Sequence, residues 1–296
     1  MSRLAAVACL LAVALLGCGA PPSAGQGSPR LRVLGVENFY ADVAGQVGGA
    51  KFRVDTILSD PSVDPHVYEA SVEDAKLVAQ ADVVIENGAG YDAFVDKLLA
   101  ASPRPDRIVI DVAQLTGHHD GDNPHLWYDT LNTMPPLAKA LARALSQKDP
   151  AGQSAYTGSA QAFVDALAPV HQLQATIGRK YAGAPVLATE PLWNYGAAAA
   201  GLSVLDADGP FQKATEDGND PPAAAVVRFR SQLTSRTARL LVVNSQAVTP
   251  ISQQMQALAR QTGVPVVPMS ETEPPNTTYQ QWMAGQLQAV LQALGG

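Results

Sequence analysis

The sequence predicts an α/β protein with two lobes, each a mostly parallel sheet flanked by helices, joined by one long linker helix. Short apolar stretches alternate with helical patterns over residues 31–150, and the same alternation starts again over residues 182–296. Between the two, residues 151–181 carry a helical pattern with no strand beside it. Alternating strands and helices are typical of parallel sheets covered on both faces, and a lone long helix is a natural spacer between two such units.

The first half is predicted to contain four strands, each an apolar run bounded by turn or helix signals. Helical patterns separate them, and Ser71 precedes the second of these as a cap, with acidic residues in the first turn. A further helix is expected after Leu126, as far as about Gln147. The strands are residues 31–36, 54–58, 81–86 and 107–112.

The second half repeats this pattern after the linker, where Pro169 should bend the helix or remove one of its hydrogen bonds. Residues 206–222 are polar and contain glycine and proline, so they are expected to form a loop. Helices are predicted at 223–235, 250–262 and 279–294, and strands at 185–189, 202–205, 240–244 and 264–269.

The amino terminus has the pattern of a processing signal rather than of a folded element. Arg3 precedes an apolar run from Leu4 to Leu16, and Gly17-Cys18 follows it. This order predicts a bacterial lipoprotein signal peptide at residues 1–17, with Cys18 as the lipidated residue; an ordinary secretory signal is the alternative. Residues 18–30, rich in Pro, Gly and Ser, are predicted to be a flexible tether.

Composition excludes some classes of partner and of site. With 47% hydrophobic and 16% charged residues, the chain of 296 residues is predicted to be globular. Its net charge of -7 argues against nucleic acid as a partner, because no basic surface would neutralise phosphates. The second cysteine, Cys9, lies in the signal peptide, so a metal in the mature protein must be bound by imidazole and carboxylate groups.

The strongest motif places a histidine after a proline at the end of a predicted strand, and it occurs twice. Asp64-Pro65-His66 follows the second strand, and Asn123-Pro124-His125 comes later, with an aromatic residue two positions after each histidine. With 5 histidines and 22 prolines in the chain, chance predicts fewer than one Pro-His pair. Proline restricts the backbone on both sides of its peptide bond, which fixes the direction of the histidine. A single copy could be a turn histidine; two copies favour metal ligands.

Two strands of the second half also end near acidic residues. Glu190 follows one of them, and Ser270-Glu271 follows the last. Taken singly, Glu190 could begin a helix and Glu271 could be a solvated loop acid. Together with His66 and His125 they form a set of two imidazoles and one or two carboxylates, which suits Zn²⁺, Mn²⁺ or Fe²⁺ better than Ca²⁺.

A polar loop, residues 116–122, contains the adjacent histidines His118 and His119 beside two aspartates. These side chains could capture a cation transiently, although a solvated loop explains the same pattern.

Across nearly the whole mature chain, the sequence resembles the manganese- and zinc-binding solute-binding lipoproteins of bacterial ABC importers. The resemblance lies in several motifs, each weak alone and specific in combination. They are Asp64-Pro65-His66-Val67-Tyr68-Glu69, Ala81-Asp82-Val83-Val84-Ile85-Glu86-Asn87-Gly88, Asn123-Pro124-His125-Leu126-Trp127, Tyr195 with Gly201-Leu202, Thr262-Gly263-Val264-Pro265-Val266-Val267, and Tyr279 with Trp282-Met283.

The resemblance implies one Zn or Mn ion held between the lobes by His66, His125, Glu190 and a fourth ligand. In the family that ligand is usually an aspartate, which aligns with Ser270; a neutral hydroxyl is a poor ligand, so we expect Glu271 instead. The resemblance also implies an extracytoplasmic monomer that is anchored to the cell membrane by lipid and delivers the ion to an importer permease. The alternatives are a metal-dependent hydrolase and a lipoprotein that binds an organic solute or a host surface.

Overall fold

The computed structural model describes residues 30–63 and 68–296, and residues 31–296 form one compact unit. The first half alternates strands and helices as predicted. Its elements are β1 (Arg32–Glu37), α1 (Asn38–Gly48), β2 (Arg53–Leu58), α2 (Val72–Gln80), β3 (Val83–Glu86), α3 (Phe94–Ala101), β4 (Ile108–Asp111), α4 (Val112–Thr116) and α5 (Met134–Lys148). Ser71 caps α2 by accepting from the Asp74 backbone amide, which confirms the predicted start of that helix.

The second half repeats the alternation after two intervening helices. These helices are α6 (Gln153–Asp165) and α7 (Ala168–Tyr181). The remaining elements are β5 (Pro185–Ala188), α8 (Asn194–Ala199), β6 (Ser203–Val204), α9 (Pro210–Glu216), α10 (Ala223–Thr234), β7 (Leu241–Asn244), α11 (Pro250–Thr262), β8 (Val266–Met269) and α12 (Tyr279–Ala293).

Both sheets are parallel and have the same strand order. The first runs β2-β1-β3-β4 and the second β6-β5-β7-β8. In each half, the first strand along the chain lies between the second and the third. The two-lobed α/β prediction is therefore confirmed. Because parallel strands end at a common edge, residues that follow them gather there, which is where ligands bind in open α/β sheets.

Two details differ from the predictions. The expected linker helix is divided at Ala166 and Leu167, just before Pro169. The proline nitrogen has no hydrogen to donate, so the helical hydrogen-bond pattern is interrupted there. The expected loop at 206–222 contains α9, because Phe211 and Gln212 are buried there. Phe211 stacks on Phe229 of α10 with ring centroids 4.0 Å apart, so packing forms this helix despite a weak periodic pattern.

Helix α12 returns to the first half of the chain, where aromatic side chains form a common core. Trp282 lies 5.8 Å from Phe39 and 6.0 Å from Tyr128, measured between ring centroids. The Tyr279 hydroxyl donates to the backbone oxygen of Trp127 at 2.6 Å. This core stiffens the side of the molecule where the two halves join. Among the described residues, no helix has both the length and the apolar character needed to cross a membrane.

Candidate metal site

His125 is completely buried, and its ring is oriented by the residue two positions earlier. Its backbone amide and its Nδ1 atom both lie within hydrogen-bond distance of Asn123 Oδ1, at 3.1 and 2.8 Å. An amide oxygen only accepts, so the proton of this hydrogen bond lies on Nδ1. The predicted Pro-His turn therefore directs Nδ1 to Asn123 and leaves Nε2 to face other partners.

The Nε2 atom faces Glu271, the acid after β8. Nε2 lies 3.7 Å from Glu271 Oε2, and both side chains are fully buried. Tyr91 donates its hydroxyl proton to the same carboxylate oxygen at 2.7 Å. The backbone amide of Glu271 donates to Gln246 Oε1 at 2.6 Å, which fixes the chain at the end of the strand.

Glu190 and Glu271 are brought together by one amide, that of Asn244 at the end of β7. Asn244 Nδ2 donates to Glu190 Oε2 at 2.7 Å and also to Glu271 Oε1. Glu190 is 1% exposed and Asn244 2%. Three of the four expected ligands, His125, Glu190 and Glu271, thus lie around a buried point at the strand ends.

Ser270, the alternative fourth ligand, faces elsewhere. Its hydroxyl donates to the backbone oxygen of Thr272 at 3.0 Å and accepts from Trp282 Nε1 at 3.2 Å. Its backbone oxygen accepts from the Tyr128 hydroxyl. Because these hydrogen bonds fix Ser270 against the aromatic core, the geometry favours Glu271 over Ser270 as the fourth ligand.

His66 and Cys18 lie outside the described residues, but the chain on both sides of His66 is anchored. Gln246 Nε2 donates to the backbone oxygen of Val63 at 3.0 Å, and the Tyr68 hydroxyl donates to Asp74 at 2.7 Å. The side chain that holds Glu271 therefore also holds the chain three residues before His66.

Within residues 30–63 and 68–296, no group of three or more His, Cys, Asp or Glu side chains has the arrangement of a metal centre. The site geometry explains this, because the Asn244 amide lies between the two carboxylates. A metal ion would have to replace that amide as the group that joins Glu190 and Glu271.

His118 and His119 do not join these residues in a cluster. His118 Nδ1 lies 3.5 Å from the Tyr195 hydroxyl and 3.8 Å from Asp122, and His119 is exposed. They belong to the surface loop that was the alternative interpretation, and their role in capturing a cation stays a prediction.

Sequence reasoning missed a row of acids at the ends of three adjacent strands: Glu37 on β1, Glu86 on β3 and Asp111 on β4. Burial raises the pKa of Glu37 well above its usual value, and the charge of Asp92 raises it further. Burial, with help from Asp92, raises the pKa of Glu86 to about 8. The sequence pattern that could have identified these acids is that each of the three strands ends on a residue with a carboxylate side chain.

Asn87, which follows β3 and belongs to one of the motifs that carry the family resemblance, positions the loop that carries His125. It is fully buried, accepts from the Tyr40 hydroxyl at 2.7 Å, and donates to the backbone oxygen of Pro124 at 2.8 Å. Asp92 accepts from the Asn87 and Gly88 amides, and burial raises its pKa to about 6. The turn after β3 thus holds the residue just before His125.

A cleft of about 480 Å³ borders the site, lined by residues from both halves of the chain. Tyr91, which contacts Glu271, lines it, and so does Glu216, whose Oε1 atom lies 3.7 Å from His125 Nδ1. Its charged lining is mainly acidic, with Lys213 as the cation among Asp122, Asp208, Glu216 and Asp217. Such a cleft favours the approach of a cation.

Comparison with known proteins finds a family that matches nearly the whole described chain. Residues 33–293 match the family described as zinc-uptake complex component A, periplasmic. The metal ABC transporter substrate-binding lipoprotein ScbA of Streptococcus cristatus is 30% identical over 169 residues, 52% of this chain and 54% of that protein. The manganese ABC transporter substrate-binding lipoprotein PsaA of Streptococcus pneumoniae is 29% identical over 191 residues, 58% and 60% of the two chains. The matched segment thus spans little more than half the length of these relatives.

Solved structures extend the likeness of fold. The periplasmic zinc binding protein TroA of Treponema pallidum superposes with a TM-score of 0.75 at 17% identity, covering 90% of this chain and all (100%) of that one. FpvC of Pseudomonas aeruginosa, solved in complex with Mn²⁺, gives 0.71 at 23% identity, with 90% and 98% covered. At these identities the likeness concerns the fold alone.

Proposed function

Since the chain belongs to the periplasmic zinc-uptake component A family, we propose that it captures one divalent transition-metal ion between its two lobes and delivers it to the permease of an ABC importer. The metal is cargo here, not a resident cofactor. The observation that supports this function most directly is the meeting of His125, Glu190 and Glu271 at one buried point.

The proposed ligands are His66, His125, Glu190 and Glu271. Two neutral imidazoles and two carboxylates suit a borderline divalent ion, and the two negative charges balance those of the ion, which limits the cost of burying it. On binding, the ion takes the place of the Asn244 amide between the carboxylates. Asn244 then acts as the group that keeps the acids together in the absence of metal.

The relatives differ in the metal that their names state. PsaA of Streptococcus pneumoniae is named a manganese protein, and TroA of Treponema pallidum a zinc protein. We propose Zn or Mn for this chain. Glu190 favours Mn²⁺ by the family resemblance, whereas Zn²⁺ binds such sites more tightly in general. Competitive titration of the two ions against the purified protein distinguishes them.

The remaining assignments complete the proposal. Residues 1–17 are the signal peptide, Cys18 carries the lipid, and residues 18–30 tether the body to the membrane on its extracytoplasmic side. Residues 31–150 and 182–296 are the two metal-binding lobes, with 151–181 as the linker. The protein acts as a monomeric binding component rather than as an enzyme, in line with relatives named as substrate-binding lipoproteins.

The decisive experiment measures metal content and affinity in the purified protein. We expect one Zn²⁺ or Mn²⁺ per chain, and at least 100-fold weaker binding in His125→Ala or His66→Ala. Unchanged affinity in both variants would exclude the site. For the fourth ligand, Glu271→Ala should weaken binding strongly and Ser270→Ala little, and the reverse result would assign Ser270. Hydrolysis of ester or phosphate substrates by the metal-loaded protein would favour the enzyme alternative.

A further inference from the structure

The Nδ1 side of His125 is approached from both halves of the chain. Asn123 Oδ1 lies 2.8 Å from Nδ1 on one side, and Glu216 Oε1 lies 3.7 Å from the same atom. Glu216 is the last residue of α9, and its side chain is only 14% exposed. A carboxylate from the second lobe therefore lies near a proposed ligand of the first, at the ring nitrogen that is not expected to bind the metal.

Helix α9 is fixed firmly to the second lobe. Gln212 is buried, donates through Nε2 to the backbone oxygen of Ala188 at 3.3 Å, and accepts from the Asp208 amide at 2.7 Å. Phe211 stacks on Phe229. Since Ala188 ends β5, Glu216 moves with the strand that leads to Glu190.

Asn123 makes a second connection between the lobes. While its oxygen holds His125, its Nδ2 atom donates to the backbone oxygen of Pro191 at 2.9 Å and lies 3.4 Å from Asp208 Oδ1. Pro191 directly follows Glu190. One amide thus joins the ligand of the first lobe to the chain beside a ligand of the second.

We propose that Glu216 is a positioning residue that couples closure of the lobes to the metal affinity of His125. When the lobes are closed, Asn123 accepts the hydrogen bond from Nδ1, and the Glu216 carboxylate 3.7 Å away adds an electrostatic attraction for the same proton, which makes Nε2 a better ligand. When the lobes separate, Glu216, Pro191 and Asp208 move away from the ring and its anchor. The ion is then held less tightly at the moment of delivery. This inference rests on the proposed function.

The test compares two charge-matched variants. Glu216→Gln and Asp217→Asn each remove one negative charge from the lining of the same cleft, but Glu216 is the one that lies against His125. Glu216→Gln should weaken Zn²⁺ or Mn²⁺ binding about 10-fold and speed dissociation of the ion, as removal of outer partners of metal-binding histidines does. Asp217→Asn should change affinity about two-fold or less. Equal losses would mean that Glu216 acts only through the charge of the cleft, which overturns the inference.

A second measurement is independent of metal. The ¹⁵N resonances of the His125 ring, recorded in the metal-free protein, report where the proton lies. We expect the Nδ1 resonance to shift in Glu216→Gln and to stay in place in Asp217→Asn, with melting temperatures near that of the parent. An unshifted resonance in Glu216→Gln contradicts the inference, whether or not the parent binds metal. A parent that binds neither ion, with the shift present, contradicts the proposed function instead.

Discussion

The two lobes end their third strand in the same way and use that ending differently. β3 is followed by Asn87 and β7 ends on Asn244, and these strands occupy equivalent places in sheets of identical order. Both asparagines are buried. Asn87 donates to the backbone oxygen of Pro124, whereas Asn244 donates to the carboxylates of Glu190 and Glu271. Asn87 thus acts through the backbone on the loop of the proposed ligand His125, whereas Asn244 contacts the side chains of the proposed ligands Glu190 and Glu271 directly.

The acidic side chains near Asn87 and those near Asn244 also differ in their surroundings. In the first lobe, Glu37, Glu86 and Asp92 lie close together, and burial raises the pKa of each. In the second lobe, Glu190 and Glu271 share the Asn244 amide, and Tyr91 donates to Glu271. Burial in the first lobe thus favours the protonated forms of Glu37 and Glu86, while the second lobe holds its acids by hydrogen-bond donors.

The largest effect on stability is expected when a carboxylate replaces the side-chain amide of Asn244. Asn244→Asp removes the donor between Glu190 and Glu271 and adds a third acid beside them. We expect the metal-free protein to lose about 3 kcal/mol of unfolding free energy, because hydrogen bonds to charged groups are lost and like charges meet. Saturating Zn²⁺ should restore part of the loss. Urea unfolding with and without metal measures both, and parent-like stability without metal would refute the role given to Asn244.

A smaller effect is expected for the corresponding change in the first lobe. Asn87→Ala leaves the Tyr40 hydroxyl and the Pro124 oxygen without their buried partner, which should cost about 2 kcal/mol with or without metal. Metal affinity should fall as well, because Pro124 directly precedes His125. Asn132→Ala is the control, since that asparagine bonds to Asp129 at the surface. If the Asn87 variant responds to metal as the Asn244 variant does, the two asparagines do not differ as described.

The smallest effect is a dependence of stability on pH that originates in the first lobe. The pKa of Glu86 is raised to about 8 from an ordinary 4.5, so the folded protein holds a proton that the unfolded chain releases. The contribution of this group to stability is fully present below pH 4.5 and is lost as pH rises toward 8. Glu86→Gln should therefore raise the melting temperature of the metal-free protein by a few °C at pH 8 and by less at pH 5. Equal shifts at both pH values would contradict this assignment.

The sequence predicts the strand ends well because each is marked by a local pattern. Glu190 and Glu271 each follow an apolar run, so their common location follows from parallel topology, whereas His125 is marked by a proline turn in the loop between α4 and α5. No local sequence pattern identifies Asn244 or Glu216 as part of the site. Asn244 meets Glu190 54 residues away along the chain, and Glu216 reaches His125 through a helix that forms only because Phe211 and Gln212 are buried.

The dependence on tertiary contacts also explains why the sequence did not predict the division of the linker helix or the role of Asn87. Pro169 indicates a disturbance of a helix, but whether the helix bends or stops depends on what packs against each part. Asn87-Gly88 indicates a turn, and the hydrogen bond of Asn87 to Pro124, 37 residues away, is a tertiary contact that no local pattern encodes.

Gln246 links the chain that follows β8 to the chain that follows β2. Through its oxygen it holds the amides of Glu271 and Thr272, and through its nitrogen it holds the Val63 oxygen. Tyr68, on the far side of His66, is held by Asp74. The two stretches of chain that Gln246 holds are far apart in sequence, and both depend on the same side-chain amide. A change at Gln246 is therefore expected to loosen the end of β8 and the chain at Val63 together.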